Sequence, residues 1–331
     1  MNKMAIEANN LTKAFRLGVV AVSGLDLQIP RGAVYGLIGR NGAGKTTTLR
    51  LLMGLLRADR GWARVLGANL WDAPRSLRAR VGYVSQSQQL PGWMSLAELS
   101  RYASHFYEAW NQVRARDLAR SWELTWEQPV ARMSGGEQRK AAILLALAPR
   151  PEVLILDEPT IGLDPISRRE LVDAFVSLMT QGDGCTILLS TQILSDLERI
   201  VEYVGIMDRG RITTHSRLEQ LQQTTKRVQV IFPISSAPPE FVVPGALRSH
   251  TTGPVVTAIA HIANDSQLDP VRQLPGVRVH IFPLGLEELF IELFTRKDPA
   301  EDSPSRSSLE DQQKTTLPIK DTSKPQDTTT Y

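Results

Sequence analysis

A glycine-rich loop between a strand-like run and a helix constrains the fold of this chain more than any other feature. The loop has the spacing G-x-x-x-x-G-K-[ST], and its residues are Gly39, Arg40, Asn41, Gly42, Ala43, Gly44, Lys45 and Thr46. The apolar run 34–38 before it predicts a buried strand, and 47–53 after it predicts a helix start. Glycines let successive backbone N–H groups point into a concave anion nest, and the helix N-terminus adds its dipole. The sequence therefore predicts a polyphosphate site at the junction of a strand and a helix.

The residues that close this loop suit a nucleotide. Lys45 carries a point positive charge that can reach the β- and γ-phosphates, and Thr46 offers a hydroxyl to Mg²⁺. We count Thr47, the next residue, with the phosphate-binding residues. The helix that follows is expected to span 45–56.

Four more short motifs follow along the chain, and one of them adds carboxylates. They are Tyr83-Val84-Ser85-Gln86, Met133-Ser134-Gly135-Gly136-Glu137-Gln138, Val153-Leu154-Ile155-Leu156-Asp157-Glu158 and Ile161-Gly162-Leu163-Asp164. In the third, four apolar residues precede two acids, which predicts a buried strand whose end presents carboxylates to the nucleotide. Directly after the second, 139–147 predicts an apolar helix.

In this order and with these intervening lengths, the motifs resemble those of ABC-type ATPases over about residues 5 to 220. The segment 133–138 is similar to the LSGGQ signature, 153–158 to the Walker B motif, 83–86 to the Q-loop and 161–164 to the D-loop. The resemblance implies an α/β fold, a P-loop NTPase of the ABC type with an antiparallel β subdomain and a helical subdomain. The alternation of helix and strand over 167–222 also indicates a largely parallel sheet covered on both faces.

The resemblance implies roles for individual polar residues. Asp157 helps to hold Mg²⁺, together with Thr46 and Gln86, and Glu158 positions and polarises the attacking water as a general base. Gln86 and Gln192 are counted with Glu158 as catalytic residues.

Two further contacts with ATP are implied outside the loop. Ser134, Gly135, Gly136 and Glu137 open a helix whose N-terminus faces the γ-phosphate held by a second chain. Phe15 stacks on the adenine ring, and a buried core aromatic is the alternative interpretation.

Three positions depart from the family's pattern. Arg40 stands where most members have proline, at a position that faces away from the phosphates, and Glu137 stands where the signature has glutamine. Gln192 stands where most members have a histidine near the γ-phosphate. Its amide can donate a hydrogen bond but carries neither a titrating proton nor a positive charge. Impaired catalysis and an adequate substitution by glutamine both stay open.

Composition excludes several classes of protein. The net charge is only +3 over 331 residues, and no block of five Lys or Arg occurs, so no nucleic-acid partner is expected. The single cysteine, Cys185, excludes an intrachain disulfide and fits a reducing compartment. We expect neither a signal peptide nor a membrane pathway from this chain alone, because no apolar run approaches the roughly 18 residues of a membrane span.

The chain is expected to divide into three parts. Residues 1–222 predict the ABC ATPase domain, in which about 87–132 form the helical subdomain. Residues 223–297 predict a small C-terminal α+β accessory domain that ends in an amphipathic helix over 286–294. Residues 298–331 contain very few large apolar side chains, which predicts a disordered polar tail.

The leading functional hypothesis is that the chain is the ATPase subunit of a membrane transporter. Among transporters, an exporter is favoured. The resemblance implies ATP and Mg²⁺ as cofactors, hydrolysis of ATP to ADP and phosphate, and ATP-driven pairing with an identical chain or another ABC ATPase. It also implies a separate integral membrane permease, so the chain would lie peripherally on the cytoplasmic face of the membrane. Trp93, in the helical subdomain, is the first choice for an interface anchor.

Two alternatives from other classes stay open. One is a soluble ABC-type ATPase that acts on ribosomes or DNA, although the tandem domains and coiled-coil insertions typical of such members are absent from this sequence. The other is a weakly hydrolysing, ATP-dependent regulator, which Gln192 keeps open.

Overall fold

A computed structural model describes residues 3–87, 89–180, 184–192, 198–233 and 237–294 of the protein. The tail predicted to be disordered, 298–331, lies outside the described residues. Residues up to Phe294 form one compact unit, so the boundary between ATPase and accessory domain at 222 stays a proposal.

A six-stranded sheet positions the glycine-rich loop. Its order is β5-β6-β7-β3-β8-β9, and every neighbouring pair is parallel except β8 and β9. The strands are β3 (Val34–Gly39), β5 (Val81–Val84), β6 (Val153–Asp157), β7 (Thr186–Thr191), β8 (Tyr203–Asp208) and β9 (Arg211–Arg217). Every residue of β3, β6 and β7 is buried, as expected of parallel strands covered on both faces.

Helices connect the strands of this sheet, and the end of the first of them is set by a glycine. They include α1 (Lys45–Leu52), α5 (Gly135–Leu147) and α6 (Pro165–Thr180). The expectation that α1 reaches residue 56 is wrong. Gly54 has a left-handed φ of +66°, which glycine adopts readily and which ends the helix shortly after Leu52.

An antiparallel sheet of order β2-β1-β4 forms the predicted β subdomain. Its strands are β1 (Met4–Ala14), β2 (Val20–Pro30) and β4 (Arg60–Val65). Residues 20–30 form one continuous strand with register shifts against β1. Gly24 has a φ of +62°, so the irregularity appears as a bulge rather than a break.

The segment 87–132 is helical only in part. It contains α3 (Leu96–Ser104), α4 (Gln112–Ser121) and a 3-10 turn over Val130–Arg132, and the short α2 (Arg75–Arg78) precedes it. Ser95 and Glu98 cap α3 reciprocally. Trp122 is buried, whereas Trp93 is 79% exposed.

Antiparallel strands and short helices make up the C-terminal part. The sheet has the order β11-β12-β10-β13, and the elements are α7 (Leu218–Thr224), β10 (Thr225–Ile231), β11 (Ala246–Thr252), β12 (Val255–His261), a 3-10 turn (Asp265–Leu268), α8 (Asp269–Arg272), β13 (Arg278–Pro283) and α9 (Leu286–Phe294). The α+β arrangement and the terminal helix agree with the sequence prediction. Within the described residues, no helix has the length and apolar character of a membrane span.

Candidate nucleotide-binding site

The glycine-rich loop encloses a cavity of about 310 Å³ between the end of β3 and the start of α1. Its lining residues are Ala21, Arg40, Asn41, Gly42, Ala43, Gly44, Lys45, Thr46, Thr47, Gln86 and Glu158. The loop, the Q-loop and the Walker B end predicted from sequence therefore meet at one cavity. The N-terminus of α1 opens toward it, which favours an anion.

Position 44 requires glycine for two reasons, its backbone conformation and the lack of space for a side chain. Gly44 caps α1 with a φ of +106°, a value that L side chains rarely adopt. A Cβ there would overlap the carbonyl oxygen of Ala21 and lie 2.8 Å from Cε of Met207. The backbone can therefore pass this close to β2 only because residue 44 has no side chain.

Lys45 is already paired with a carboxylate in this structure. Its Nζ lies 3.0 Å from Oε1 of Glu158 and donates to the carbonyl oxygen of Gly39 at 2.7 Å. Lys45 is 6% exposed and Glu158 is 4% exposed. A phosphate that binds Lys45 must therefore compete with the Glu158 carboxylate, and displacing that carboxylate frees it for other partners.

Asp157 has one oxygen engaged and one free of hydrogen bonds. Its Oδ1 accepts from the hydroxyl of Thr46 at 3.1 Å and from the hydroxyl of Ser190 at 2.7 Å. Its Oδ2 is buried and accepts no hydrogen bond from any described residue. A buried carboxylate oxygen without a donor costs free energy unless a cation or water binds it.

These residues fit Mg²⁺. Mg²⁺ takes one or two protein carboxylates, with substrate phosphates and waters completing its shell. Thr46, Asp157 and Gln86 supply a hydroxyl, a free carboxylate oxygen and an amide around the phosphate loop. Among the described residues, no group of three or more His, Cys, Asp and Glu could hold a metal without such a substrate.

The backbone of Glu158 is held in an unusual conformation. Its φ is +48°, a region that costs a non-glycine residue about 1–3 kcal/mol. Its N–H donates to the carbonyl oxygen of Ser190 at 3.1 Å and lies 3.0 Å from the Ser190 hydroxyl. Ser190 thus fixes both acids of the Walker B end, a role that sequence reasoning missed. The available signal was a hydroxyl directly after the apolar run Ile187-Leu188-Leu189, two residues before Gln192.

Arg139 connects the signature helix to the Q-loop and was also missed. Its guanidinium donates to the carbonyl oxygens of Ser85 and Gln86, both at 2.9 Å. Burial lowers the pKa of Arg139 below its usual value, while the Asp157 carboxylate opposes that shift. A shift of the Q-loop backbone therefore acts on α5 through the half-buried Arg139 guanidinium.

The signature residues cap α5 and face solvent. The Ser134 hydroxyl accepts from the N–H of Glu137 at 3.2 Å, and the Glu137 carboxylate accepts from the N–H of Ser134 at 2.7 Å. Ser134 and Gly135 are exposed, and none of the four signature residues, 134–137, lines the described phosphate cavity. The exposed N-terminus of this helix is therefore available to an anion from outside the chain.

The two signature glycines differ in the space around them. A Cβ on Gly136 would lie 2.7 Å from both Cβ and Oγ of Ser167, whereas a Cβ on Gly135 would meet nothing within 4 Å. Ser167 donates its hydroxyl to the Asp164 carboxylate at 2.6 Å, and this bond is the main reason that the pKa of Asp164 lies below its usual value. The signature therefore lies close at Gly136 to the start of α6, whose Ser167 is bonded to Asp164 of the D-loop.

We expect Gly136→Ala to lower the free energy of unfolding by about 1–3 kcal/mol, because the added methyl overpacks against Ser167. Gly135→Ala is the matched control, and its effect should stay within about 0.5 kcal/mol. Urea unfolding of the two ATP-free variants measures the difference. Equal unfolding midpoints would show that Gly136 and Ser167 do not touch.

Neither Phe15 nor Gln192 is among the residues that line the described phosphate cavity. Phe15 is 45% exposed, with Nζ of Lys13 5.9 Å from its ring centroid, so its interpretation as a buried core aromatic is wrong. The N–H of Gln192 donates to Oε2 of Glu158 at 3.2 Å. Gln192 itself lines a second cavity, of which the loop segment 40–43 also forms part of the wall.

Comparison with known proteins agrees with this geometry. Residues 22–161 match the ABC transporter family model. The chain is 36% identical to the daunorubicin/doxorubicin resistance ATP-binding protein DrrA of Streptomyces peucetius over 226 residues, 66% of this chain and 67% of that protein. It is 33% identical to the Nod factor export ATP-binding protein I of Sinorhizobium fredii (strain NBRC 101917 / NGR234) over 303 residues, 89% and 87% of the two chains.

Solved structures show the same fold. A structure titled as the ATP-binding subunit of an ABC transporter is 29% identical, with a TM-score of 0.59, and the match covers 66% of this chain and 92% of that one. A dimeric bacterial ABC transporter cassette, 23% identical with a TM-score of 0.58, supports the fold alone.

The parallel sheet, the phosphate loop and the acids at the end of β6 define a P-loop nucleotide-binding protein. The chain belongs to the ABC transporter ATP-binding family.

Proposed function

We propose that this chain binds and hydrolyses ATP and thereby powers a membrane exporter. The observation that carries the proposal is the convergence of Lys45, Thr46 and Glu158 on one cavity under the N-terminus of α1. The names of the relatives support the export function, since one is a drug-resistance ATP-binding protein and another is a Nod factor export ATP-binding protein.

The residues divide the chemistry among them. Backbone N–H groups of the loop and Nζ of Lys45 bind the phosphates, and Phe15 stacks on the adenine. The Glu158 carboxylate, released from Lys45, accepts a proton from water as that water attacks the γ-phosphoryl group and the bond to ADP breaks. Thr46, Asp157 and Gln86 would hold Mg²⁺, which would supply positive charge to neutralise the phosphates.

A second ATPase chain completes the site. The phosphate cavity has no γ-phosphate donors from residues 134–137, while the capped N-terminus of α5 is exposed. If the exposed N-terminus of α5 in each chain faced the phosphate cavity of the other, Ser134 and the Gly135 and Gly136 amides would lie opposite the partner's ATP. ATP then stabilises the dimer and hydrolysis releases it, because the nucleotide binds one state better than the other.

The ATPase chain acts on a separate membrane protein and lies at the cytoplasmic face of the membrane that contains it. Trp93 is the proposed anchor because its 79% exposed ring stands on a fixed backbone. The carbonyl oxygens of Gly92 and Met94 accept from the N–H groups of Ala131 and Val130, both at 2.9 Å. An exposed aromatic on a rigid segment suits a hydrophobic hot spot.

Two measurements on the full chain test this function. We expect ATP turnover above that of Glu158→Gln, and recovery of the chain with washed membranes of cells that express its membrane partner. Trp93→Ala should reduce that recovery and leave the unfolding midpoint unchanged. Trp62→Ala is the control, since Trp62 is 40% exposed on the antiparallel subdomain.

The outcomes separate the alternatives. Turnover no higher than that of Glu158→Gln would contradict ATP-driven transport and favour a regulator. Turnover without membrane recovery would favour an ATPase that acts on ribosomes or DNA.

A further inference from the structure

Helix α9 joins the C-terminal sheet to the ATPase core through two adjacent residues. Leu289 is fully buried and packs with Ile259 and Leu284 of the C-terminal part. Phe290, the next residue, is partly buried against the large core cluster of the ATPase domain, which includes Leu218. An ion pair of 2.9 Å between Glu288 and Arg227 of β10 fixes the helix further. The position of Phe290 is therefore determined by the accessory sheet and the ATPase core together.

Phe290 also reaches the edge of the nucleotide site. It lines a cavity of about 630 Å³ with Arg40, Asn41, Gly42, Ala43, Gln192, Asp208 and Arg209. Among the described residues of that lining, Phe290 alone comes from beyond residue 224. A residue of the accessory part is thus brought to the phosphate loop and to the residue that replaces the family's histidine.

Gln192 stands between this cavity and the general base. Its N–H donates to Oε2 of Glu158 at 3.2 Å, while the residue borders the cavity that Phe290 lines. A glutamine side chain has several rotatable bonds and loses entropy when it is held in one rotamer. An aromatic wall that restricts those rotamers lowers the entropy that must be lost in the transition state.

We propose that Phe290 is a positioning residue that holds Gln192 in the conformation used for ATP hydrolysis, an inference that rests on the proposed ATPase function. The C-terminal part then controls the turnover of the ATPase domain, because Phe290 moves with α9. The accessory domain acts through one side chain rather than through a catalytic group of its own.

The test compares Phe290→Ala with Ile291→Ala in the full chain. Ile291 is 53% exposed on the same helix, so its truncation controls for general effects on α9. We expect Phe290→Ala to lower kcat by roughly 10-fold, the order of loss caused by a small misplacement of a reacting group. The KM for ATP should stay at the wild-type value, because the interaction acts in the transition state. Ile291→Ala should match the wild type in both.

A double-mutant cycle with Gln192→Ala separates positioning from a structural role. If Phe290 acts through Gln192, adding Phe290→Ala to Gln192→Ala should change kcat no further. Losses that multiply in the double variant would overturn the inference, as would a kcat for Phe290→Ala equal to that of the wild type. Phe290→Leu, which keeps an apolar side chain, enters the same cycle if the alanine variant does not fold.

Failure of this inference differs from failure of the proposed function. If the wild type hydrolyses ATP and Phe290→Ala has the same kcat, only the role inferred for Phe290 is contradicted. A wild type without ATP turnover removes the ATPase function and the inference with it.

Discussion

Lys45→Ala is expected to weaken ATP binding by roughly 10- to 100-fold, the equivalent of one lost hydrogen bond to a charged group. Lys45 is the buried cation of the phosphate loop, and its Nζ already lies among oxygen acceptors, 2.7 Å from the Gly39 carbonyl and 3.0 Å from Glu158. Arg40 also lines the cavity, but it is exposed to water, which screens its charge. Titration of the Mg²⁺-containing variant with a fluorescent ATP analogue measures the loss.

The same variant should also be less stable without nucleotide. Removing Lys45 leaves the 4% exposed carboxylate of Glu158 without its cation, and breaking such a buried pair costs about 3–5 kcal/mol. The double variant Lys45→Ala/Glu158→Gln removes the stranded charge and should recover part of that stability. Binding is therefore best compared between this double variant and Glu158→Gln alone.

Lys140→Ala is the matched control for Lys45→Ala. Lys140 is 8% exposed and pairs with Glu170 at 2.7 Å, so it is buried and ion-paired like Lys45, but it lies in α5 outside the phosphate cavity. Its removal should cost stability without a comparable loss of ATP affinity. Equal ATP affinity in Lys45→Ala and the wild type would show that the loop 39–46 does not bind the phosphates.

Local pattern was sufficient for the elements that form the phosphate cavity. β3 and β6 are short apolar runs that end at glycine or acids, and their length and their β-branched residues favour buried parallel strands over helices. The glycine spacing of the loop likewise reports a backbone requirement, which Gly44 meets with its φ of +106°. The phosphate-binding geometry can thus be predicted from one contiguous stretch of sequence.

Contacts between distant segments were not predictable in the same way. Ser190 bonds to Asp157 across 33 positions, and Arg139 bonds to Gln86 across 53. No periodicity relates such residues, because the sheet order β5-β6-β7-β3 brings them together only after folding. The cavity that Phe290 shares with Gln192 depends in addition on how the C-terminal sheet packs, which the amphipathic pattern of α9 leaves open.

The pairing of Lys45 with Glu158 places the two side chains in competition with a bound phosphate. In the structure Nζ of Lys45 and Oε1 of Glu158 neutralise each other at 3.0 Å. A phosphate that engages Lys45 competes with this carboxylate for the same cation. Under the proposed function, nucleotide binding therefore frees Glu158 for the attacking water in the state that contains the substrate.

Glu158→Gln should therefore lower ATP hydrolysis by roughly 10²–10⁴-fold, the contribution of a general base. The amide keeps the shape of the side chain but cannot take a proton from water. ATP affinity should rise, because Lys45 no longer has a carboxylate from which the phosphate must displace it. With ATP and Mg²⁺ the variant should elute as a dimer in size-exclusion chromatography, and with ADP as a monomer.

Glu152→Gln is the control for that variant. Glu152 pairs with Arg31 and Arg80 at the start of β6 and is 38% exposed, so its neutralisation removes ion pairs without touching the phosphate cavity. Its turnover should equal that of the wild type. A Glu158→Gln chain that still hydrolyses ATP within tenfold of the wild-type rate would remove Glu158 as general base. If hydrolysis stops but ATP yields only monomers, the second signature must come from a different ATPase chain, and mixing with that chain should restore the dimer.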